Sequence, residues 1–262
     1  MRARTSGEGL AAPSEVAGGS TAIASALPEL HSIRLIDGFE CTIDGEVVEL
    51  PRGCQRLVAF LALWERPVLR TFVSGSLWPD SDDAHSSACL RSSVWRLQSL
   101  GPSFVHVTPM HLALDPRVEI DYREAVDWSR TVLAGTDPLP VVWTMNEISG
   151  LVREVLPDWY DEWVQQARER FRQLRLHALE QLCARLTSDR RYGEAVLAGL
   201  AAVAIEPLRE SAHRSVIEVH LAEHNHVEAL RQYRRYEQLL RVQLSLRPSA
   251  ELRERVGAAL AG

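Results

Sequence analysis

Residues 89–100 read CLRSSVWRLQSL, and the spacing of their apolar side chains decides how this part of the chain folds. Leu90, Val94 and Leu97 stand at i, i+4 and i+7, which places them on one face of a helix. The opposite face has two basic residues and no acidic one; it carries Arg91, Ser92, Trp95, Arg96 and Ser99. The pattern therefore predicts a helix with one buried face and one polar, basic face that is open to a partner.

The segments before this helix predict a small sheet and two further helices. The stretch SIRLIDGFECTIDGEVVEL, residues 32–50, alternates apolar and polar side chains and contains two Asp-Gly turn signals. The run CQRLVAFLALW predicts a buried helix from about Arg52 to Trp64, with Pro51 in its first turn. A short apolar segment, RTFVSGSLWPD, follows at residues 70–80.

The segment after this helix predicts a β-hairpin. Two alternating runs, FVHVT and HLALD, are joined by Pro109 and Met110, and Gly101-Pro102 precedes them. A sheet, three helices and a hairpin in this order match the winged helix-turn-helix plan, in which the third helix enters the major groove. We therefore expect a winged helix-turn-helix domain over residues 31–118, after a disordered leader at residues 1–30.

The rest of the chain is helical in pattern and contains an internal repeat. DRRYGEAVLAGL begins at Asp189 and EHNHVEALRQYR begins at Glu223, 34 residues later, and this spacing aligns Ala195 with Ala229. Thirty-four residues is the period of tetratricopeptide repeats, in which two helices form each unit. Residues 119–257 are therefore predicted to form an all-α, tetratricopeptide-like domain, so that the whole chain is α+β followed by helical repeats.

Both halves resemble one known family of regulators. The stretches LPDWYDEWVQQARERFRQLRLHALEQL and EPLRESAHRSVIEVHLAEHNHVEALRQYRRYEQLLRVQLSLRPSAELR resemble the bacterial transcriptional activator domain (BTAD). LWPD and LRSSVWRLQ resemble the winged-helix domain that precedes it in antibiotic-regulatory (SARP-type) activators. The resemblance implies an activator that binds direct repeats in double-stranded promoter DNA and contacts the RNA polymerase holoenzyme. We expect the helical-repeat domain to form a homodimer or to recruit the polymerase. It is similar to the short form of the family, without an ATPase.

The composition excludes several classes of enzyme. All 29 basic residues are arginine, so the chain has no lysine for a Walker A loop, a Schiff base or a kinase site. No Ser-His-Asp order, glycine-rich phosphate loop or carboxylate pair stands out, so we expect neither an enzyme nor a cofactor. The four cysteines form no C-x-x-C pair, which favours reduced thiols in the cytoplasm. No apolar run reaches the length of about 18 residues that a membrane span needs.

The charge leaves a second function class open. Residues 31–130 carry 14 acidic residues and 10 arginines, so any contact with DNA has to be a local basic patch. The alternative hypothesis is a protein-interaction module whose winged helix does not bind DNA.

Candidate DNA contacts fall in three places. The first is the polar face of the third helix, where Arg91, Ser92, Trp95, Arg96 and Ser99 are joined by His85 near the helix start. The second is the start of the first helix, where Arg52 and Arg56 are candidates for phosphate anchoring. The third comprises Arg70 and the hairpin tip with Thr108 and His111. Asp80, Asp82 and Asp83 are interpreted as helix-capping groups or a polymerase surface.

Two further motifs invite other interpretations. HLAEH, residues 220–224, spells the inverted zinc-protease pattern H-x-x-E-H, in which both histidines are ligands and Glu223 is the base. We favour ordinary repeat histidines and expect no metal, because no third ligand is evident. Arg168, Arg172 and Arg175 are spaced to form a basic stripe, which we interpret as a solvated helix face with DNA or polymerase contact as the alternative.

Overall fold

A computed structural model of the protein describes residues 31–99, 104–135 and 150–261. The strands are β1 (His31–Arg34), β2 (Glu40–Ile43), β3 (Glu46–Val47), β4 (Val68–Leu69), β5 (Val105–Val107), β6 (His111–Leu114) and β7 (Glu119–Ile120). The helices are α1 (Arg52–Ala62), α2 (Arg70–Leu77), α3 (Asp83–Gln98), α4 (Asp121–Ala134), α5 (Glu162–Ser188), α6 (Tyr192–Ile205), α7 (Glu210–Ala222), α8 (His226–Leu244) and α9 (Ala250–Ala261).

The N-terminal part contains two small sheets and three helices. In the first sheet the strand order is β3-β2-β1-β7, and β1 pairs antiparallel with β2 through His31–Ile43 and Arg34–Glu40. In the second the order is β4-β6-β5, and β5 and β6 form the predicted hairpin with Val107 opposite Leu112. The prediction of a winged helix-turn-helix in this part of the chain is confirmed.

The third helix buries the side that its sequence predicts. Leu90, Val94 and Leu97 are all buried, and α3 packs against α1, α2 and β5. The Asp82 carboxylate caps α3 by accepting a hydrogen bond of 2.7 Å from the backbone N–H of His85, because the first turn of a helix has unpaired donors. The capping prediction for Asp82 is therefore confirmed.

The C-terminal part is a stack of helices in which α5, α6, α7 and α8 pack successively against one another. The two alanines aligned by the 34-residue period, Ala195 on α6 and Ala229 on α8, are both buried. A small residue at these positions lets neighbouring helices approach closely. The helical-repeat prediction is confirmed.

The two parts share one hydrophobic core. Strand β7, on the helical side of the boundary predicted at residue 118, pairs parallel with β1, and Ile36 forms a β-bridge with Val155. The Asp121 carboxylate accepts hydrogen bonds of 2.8 Å and 3.0 Å from the backbone N–H groups of Leu35 and Ile36. A continuous cluster of buried side chains runs from the first sheet into α5, α6 and α7. Residues 119–135 and 150–161 therefore belong physically to both parts.

The predicted arginine stripe on α5 is wrong as a solvated face. Arg175 is only 2% exposed, and its guanidinium donates a hydrogen bond of 2.8 Å to the Leu151 carbonyl. Arg168 donates to the carbonyl oxygens of Val155 and Trp159 at 2.6 Å and 2.9 Å. The prediction is wrong because a guanidinium group can donate to several backbone carbonyls at once and so be buried. The spacing of arginines along a helix does not reveal such partners.

Some sequence predictions fall outside the described residues. They are the disordered leader at residues 1–30, the Gly101-Pro102 pair before the hairpin, and residues 136–149 of the predicted all-α part.

Candidate nucleic-acid interface

The outer face of α3 is open along its length. Arg91, Ser92 and Arg96 are exposed, and Trp95 is 70% exposed, which is unusual for a tryptophan in a folded domain. Neither Arg91 nor Arg96 forms an ion pair with any described residue. The face therefore offers two unneutralised guanidinium groups and a large aromatic ring to a partner.

Helix α2 and the hairpin tip extend this face on one side. The backbone N–H of Arg70, at the start of α2, donates a hydrogen bond of 2.9 Å to the carbonyl of Met110 at the hairpin tip. At that tip the Thr108 hydroxyl and the backbone of His111 are hydrogen bonded, with the His111 N–H 2.9 Å from Oγ1. A cavity of about 230 Å³ lies between the three elements, with Arg70 on one wall and Arg91 on another. We call the hairpin tip the wing. The fold thus brings α2, α3 and the wing to one surface.

Two members of the predicted set have side chains that are already engaged within α3. The Ser99 hydroxyl donates a hydrogen bond of 2.6 Å to the Arg96 carbonyl at the end of the helix. A ring nitrogen of His85 lies 3.5 Å from the Cys89 sulfur. Both residues are exposed, so they lie on the same face as Arg91 but at its two ends.

Arg52 and Arg56 lie away from this face and serve the junction with the helical part. The guanidinium of Arg56 pairs with the Asp161 carboxylate. The guanidinium carbon of Arg52 lies 4.2 Å from the centroid of the Trp159 ring, a cation–π contact. Both cations therefore have partners within the chain, and their role in phosphate anchoring stays a prediction.

The structure adds three residues that sequence reasoning did not single out. Thr71, Ser87 and Met110 line the cavity between α2, α3 and the wing, and Met110 is 61% exposed. Met110 could have been found from its place in the turn of the predicted hairpin. Thr71 could not, because the start of α2 has no capping side chain to mark it.

The HLAEH motif does not form a metal site. Helix α7 ends at Ala222, and His224 adopts a left-handed φ of 61° in the following turn, so His220 and His224 do not share a helical face. The His220 Nδ1 lies 2.8 Å from a carboxylate oxygen of Glu223. Within the described stretches, no group of three or more potential ligands comes together to hold a metal ion.

The helical part carries the signature of a known domain. Residues 146–260 match the family model of the bacterial transcriptional activator domain. The predicted resemblance of the helical part to this domain is confirmed. This match covers α5 to α9 and the segment that leads into them, and the matched family consists of transcriptional regulators and not of enzymes.

Most of the chain is also similar in fold to a solved structure. The chain is similar to Mycobacterium tuberculosis EmbR, which was solved in complex with a low-affinity phosphopeptide, with a TM-score of 0.62 and 19% sequence identity. The similarity covers 89% of this chain and 65% of that one, so the present chain spans about two thirds of the EmbR length. No curated protein matches the sequence. The similarity to EmbR therefore concerns the fold, and the BTAD match concerns residues 146–260.

Along the stretches that the structure describes, no helix combines the length and the apolarity that a membrane span requires.

Proposed function

We propose that the protein is a sequence-specific, DNA-binding transcription activator in which α3 enters the major groove. The observation that supports this best is the bare outer face of α3, where Arg91, Trp95 and Arg96 are exposed and neither arginine has an acidic partner among the described residues. An arginine on such a face can donate two hydrogen bonds to a guanine or contact a phosphate.

The wing and α2 supply the positioning contacts in this proposal. Arg70 and Thr71 at the start of α2 lie beside the α3 face, and Thr108 and His111 flank the two wing residues that line the same cavity. Contacts of this kind fix the register of the protein on the duplex, while α3 reads the bases. Asp82 does not oppose this arrangement strongly, because its carboxylate is engaged with the backbone of α3.

In the same proposal the helical part forms a homodimer or recruits the RNA polymerase holoenzyme. An apolar groove of about 480 Å³ supports a docking role; it lies between α6, α7 and α8 and is lined by Leu200, Val203, Leu239 and Val242. Sedimentation of the purified protein tests dimerisation, and co-purification with the holoenzyme tests recruitment. A direct-repeat target fits two copies of the same reader side by side.

The decisive test uses duplexes selected by the wild-type protein from a random pool. We expect the dissociation constant to rise steeply with salt, because phosphate contacts release counterions. Arg96→Ala should weaken binding to the selected duplex by about 1–3 kcal/mol if Arg96 reads a base. Arg234→Ala on the exposed side of α8 is the matched control and should leave the affinity unchanged.

The same experiment separates the alternative function. If no duplex is enriched, or if binding is weak and insensitive to salt, the chain is a protein-interaction module and not a DNA reader. Equal affinities of Arg91→Ala, Arg96→Ala and the wild type would remove the outer face of α3 from the interface.

A further inference from the structure

Where α2 approaches the start of α5, the two parts of the chain leave an aromatic-walled cavity. It has a volume of about 360 Å³, and its walls include Phe60, Trp64, Phe72 and Trp163. A second cavity of about 560 Å³ adjoins it and shares Leu63, Trp64 and Arg170. We call the two together the junction cleft. Its size is that of a small-molecule site, and such sites often lie between domains.

The rings of the junction cleft are arranged around Phe60. The centroid of the Phe60 ring lies 5.3 Å from that of Trp163 and 5.9 Å from that of Phe72, and Trp64 stands edge-on to Phe72 at 5.7 Å. Phe72 is nevertheless 48% exposed, so one wall of the cleft is an aromatic ring that the protein itself leaves uncovered. Aromatic surface of this kind favours a planar aromatic guest.

The charges at the rim favour an anion. The guanidinium carbons of Arg66 and Arg170 lie 5.1 Å and 6.0 Å from the centroid of the Trp64 ring. Neither arginine forms an ion pair with a carboxylate in the part of the chain that the structure describes, whereas the neighbouring Asp161 and Glu65 are already paired with Arg56 and Arg130. A third acidic residue of the lining, Glu162, has no cationic partner among the described residues and accepts a hydrogen bond from the Gln166 amide, so two unpaired guanidinium groups stand against one unpaired carboxylate. Guanidinium groups bind carboxylates through charge-assisted hydrogen bonds.

One residue that lines the cleft, Trp163, also carries an unsatisfied donor. The indole Nε1 of Trp163 is buried and has no hydrogen-bond acceptor among the described residues, although buried N–H groups are ordinarily paired. We propose that the junction cleft binds a planar aromatic carboxylate that lies against Phe72 and Trp64 and pairs with Arg170.

Helix α2 connects this site to the DNA-facing surface. Phe72, Gly75 and Ser76 line the junction cleft, whereas Arg70, Thr71 and Ser74 of the same helix line the cavity beside α3 and the wing. A guest in the cleft bridges α2 to α5 and fixes the helix that carries Arg70. A bound guest therefore changes the affinity of the protein for DNA. This effect on DNA binding rests on the function proposed above, whereas the binding of the guest in the cleft is independent of that function.

Calorimetric titration of the full chain without DNA tests the site. The probes are benzoate, indole-3-acetate and 2-naphthoate, with 2-naphthylmethanol and cyclohexanecarboxylate as controls that lack the charge or the aromatic ring. We expect saturable binding of at least one aromatic carboxylate, and at least tenfold weaker binding of its controls. The absence of saturable binding for all three probes, or equal binding of a control, would overturn the proposal.

Position 75 provides a variant that blocks the cleft without disturbing the fold. Gly75 lines the cleft, and a Cβ added there meets no atom within 4 Å. The side chain of Gly75→Leu therefore has open space to occupy at the cleft. We expect Gly75→Leu to reduce the affinity for the bound probe more than tenfold, and Gly75→Ala to stay within threefold. Arg170→Gln should weaken binding about tenfold and Arg234→Gln should not. Unchanged affinity in both Gly75→Leu and Arg170→Gln would place the probe elsewhere and overturn the site.

The link to DNA is measured separately, with the selected duplex and saturating probe. A change in DNA affinity of threefold or more that Gly75→Leu abolishes supports the link through α2. Probe binding without such a change overturns the link and leaves the site, whereas absence of DNA binding under any condition overturns the proposed function alone.

Discussion

The guanidinium of Arg52 lies over the indole of Trp159, with 4.2 Å between the guanidinium carbon and the ring centroid. This contact joins the first helix of the winged part to the segment that leads into the helical repeats. Trp159 is 5% exposed and also stacks on Phe39 at 5.8 Å, so it is held from two sides by the winged part. The two parts are therefore expected to unfold together.

The first prediction concerns this contact. Trp159→Ala should lower the free energy of unfolding by about 3–5 kcal/mol, because it removes a large buried ring. Arg52→Ala should cost about 0.5–1 kcal/mol, since the cation is exposed. Urea denaturation followed by circular dichroism measures both. In a Trp159→Leu background, Arg52→Ala should have no further effect; an undiminished effect there would mean that Arg52 acts through another contact.

The second prediction concerns the buried arginine of α5. Arg175→Met should lower the free energy of unfolding by about 1–3 kcal/mol, because the Leu151 and Arg153 carbonyls lose their donor. Arg253→Met, at an exposed position on α9, should change it by less than about 0.5 kcal/mol. Equal stability of the two variants would show that the carbonyls do not depend on Arg175.

The third prediction concerns a close helix contact. A Cβ at Gly199 on α6 would lie 2.7 Å from Cγ2 of Val216 and 3.3 Å from the Cys183 sulfur. Gly199→Ala should therefore cost about 1–3 kcal/mol through overpacking. The control is Gly193→Ala on the same helix, where the new Cβ meets nothing within 4 Å; it should leave the stability unchanged or raise it by up to about 1 kcal/mol. Thermal denaturation compares the two, and a Gly199→Ala protein as stable as the control would contradict the close approach.

The fourth prediction concerns pH. His213 is buried, its Nε2 donates a hydrogen bond of 2.9 Å to the Pro207 carbonyl, and its Nδ1 accepts one of 2.9 Å from the Gln232 amide. Burial holds the pKa of His213 below its ordinary value of 6.5, with a smaller lowering from Arg235. On lowering the pH, His213 therefore takes up a proton in the unfolded chain before it does so in the folded chain. Its contribution to the free energy of unfolding is complete above pH 6.5 and is lost as the pH falls below that value.

The measurement is the free energy of unfolding at pH 7.5, 6.5 and 5.5 for the wild type and His213→Gln. The free energy of unfolding of His213→Gln should be lower than that of the wild type at pH 7.5 but should decrease less towards pH 5.5. His224→Gln, at an exposed turn position, is the control and should decline as the wild type does. A His213→Gln protein with the full wild-type decline would show that other groups cause it.

The fifth prediction separates stability from DNA binding at Trp95. Because Trp95 is 70% exposed, Trp95→Ala should change the free energy of unfolding by less than about 0.5 kcal/mol. Affinity for the selected duplex should nevertheless fall, and fluorescence anisotropy measures it. Loss of stability together with affinity would instead indicate that the ring supports the fold.

The sequence was informative where the physical cause is local. The apolar spacing of Leu90, Val94 and Leu97 sets which side of α3 is buried, and the alignment of Ala195 with Ala229 sets the helical repeat, because both follow from the periodicity of one helix. The exposed residues of α3 follow from the same periodicity, so the main candidate face was predictable as well.

The partners of the arginines were not predictable in this way. Arg56 pairs with Asp161, 105 residues further along the chain, and Arg175 donates to backbone carbonyls that have no signature in the side-chain sequence. Spacing alone cannot distinguish an arginine that faces phosphate from one that closes an interior contact. Strand β7 was missed for a related reason, since two residues are too few to show alternation.

The parallel pairing of β7 with β1 has a practical consequence for the exchange of winged-helix domains between regulators. A fragment cut at residue 118 leaves the outer edge of β1 without its neighbour and strips Leu35 and Ile36 of their carboxylate acceptor. A winged-helix fragment for such an exchange has to retain the chain up to Asp161. Chimaeras joined at residue 118 should accumulate as insoluble material.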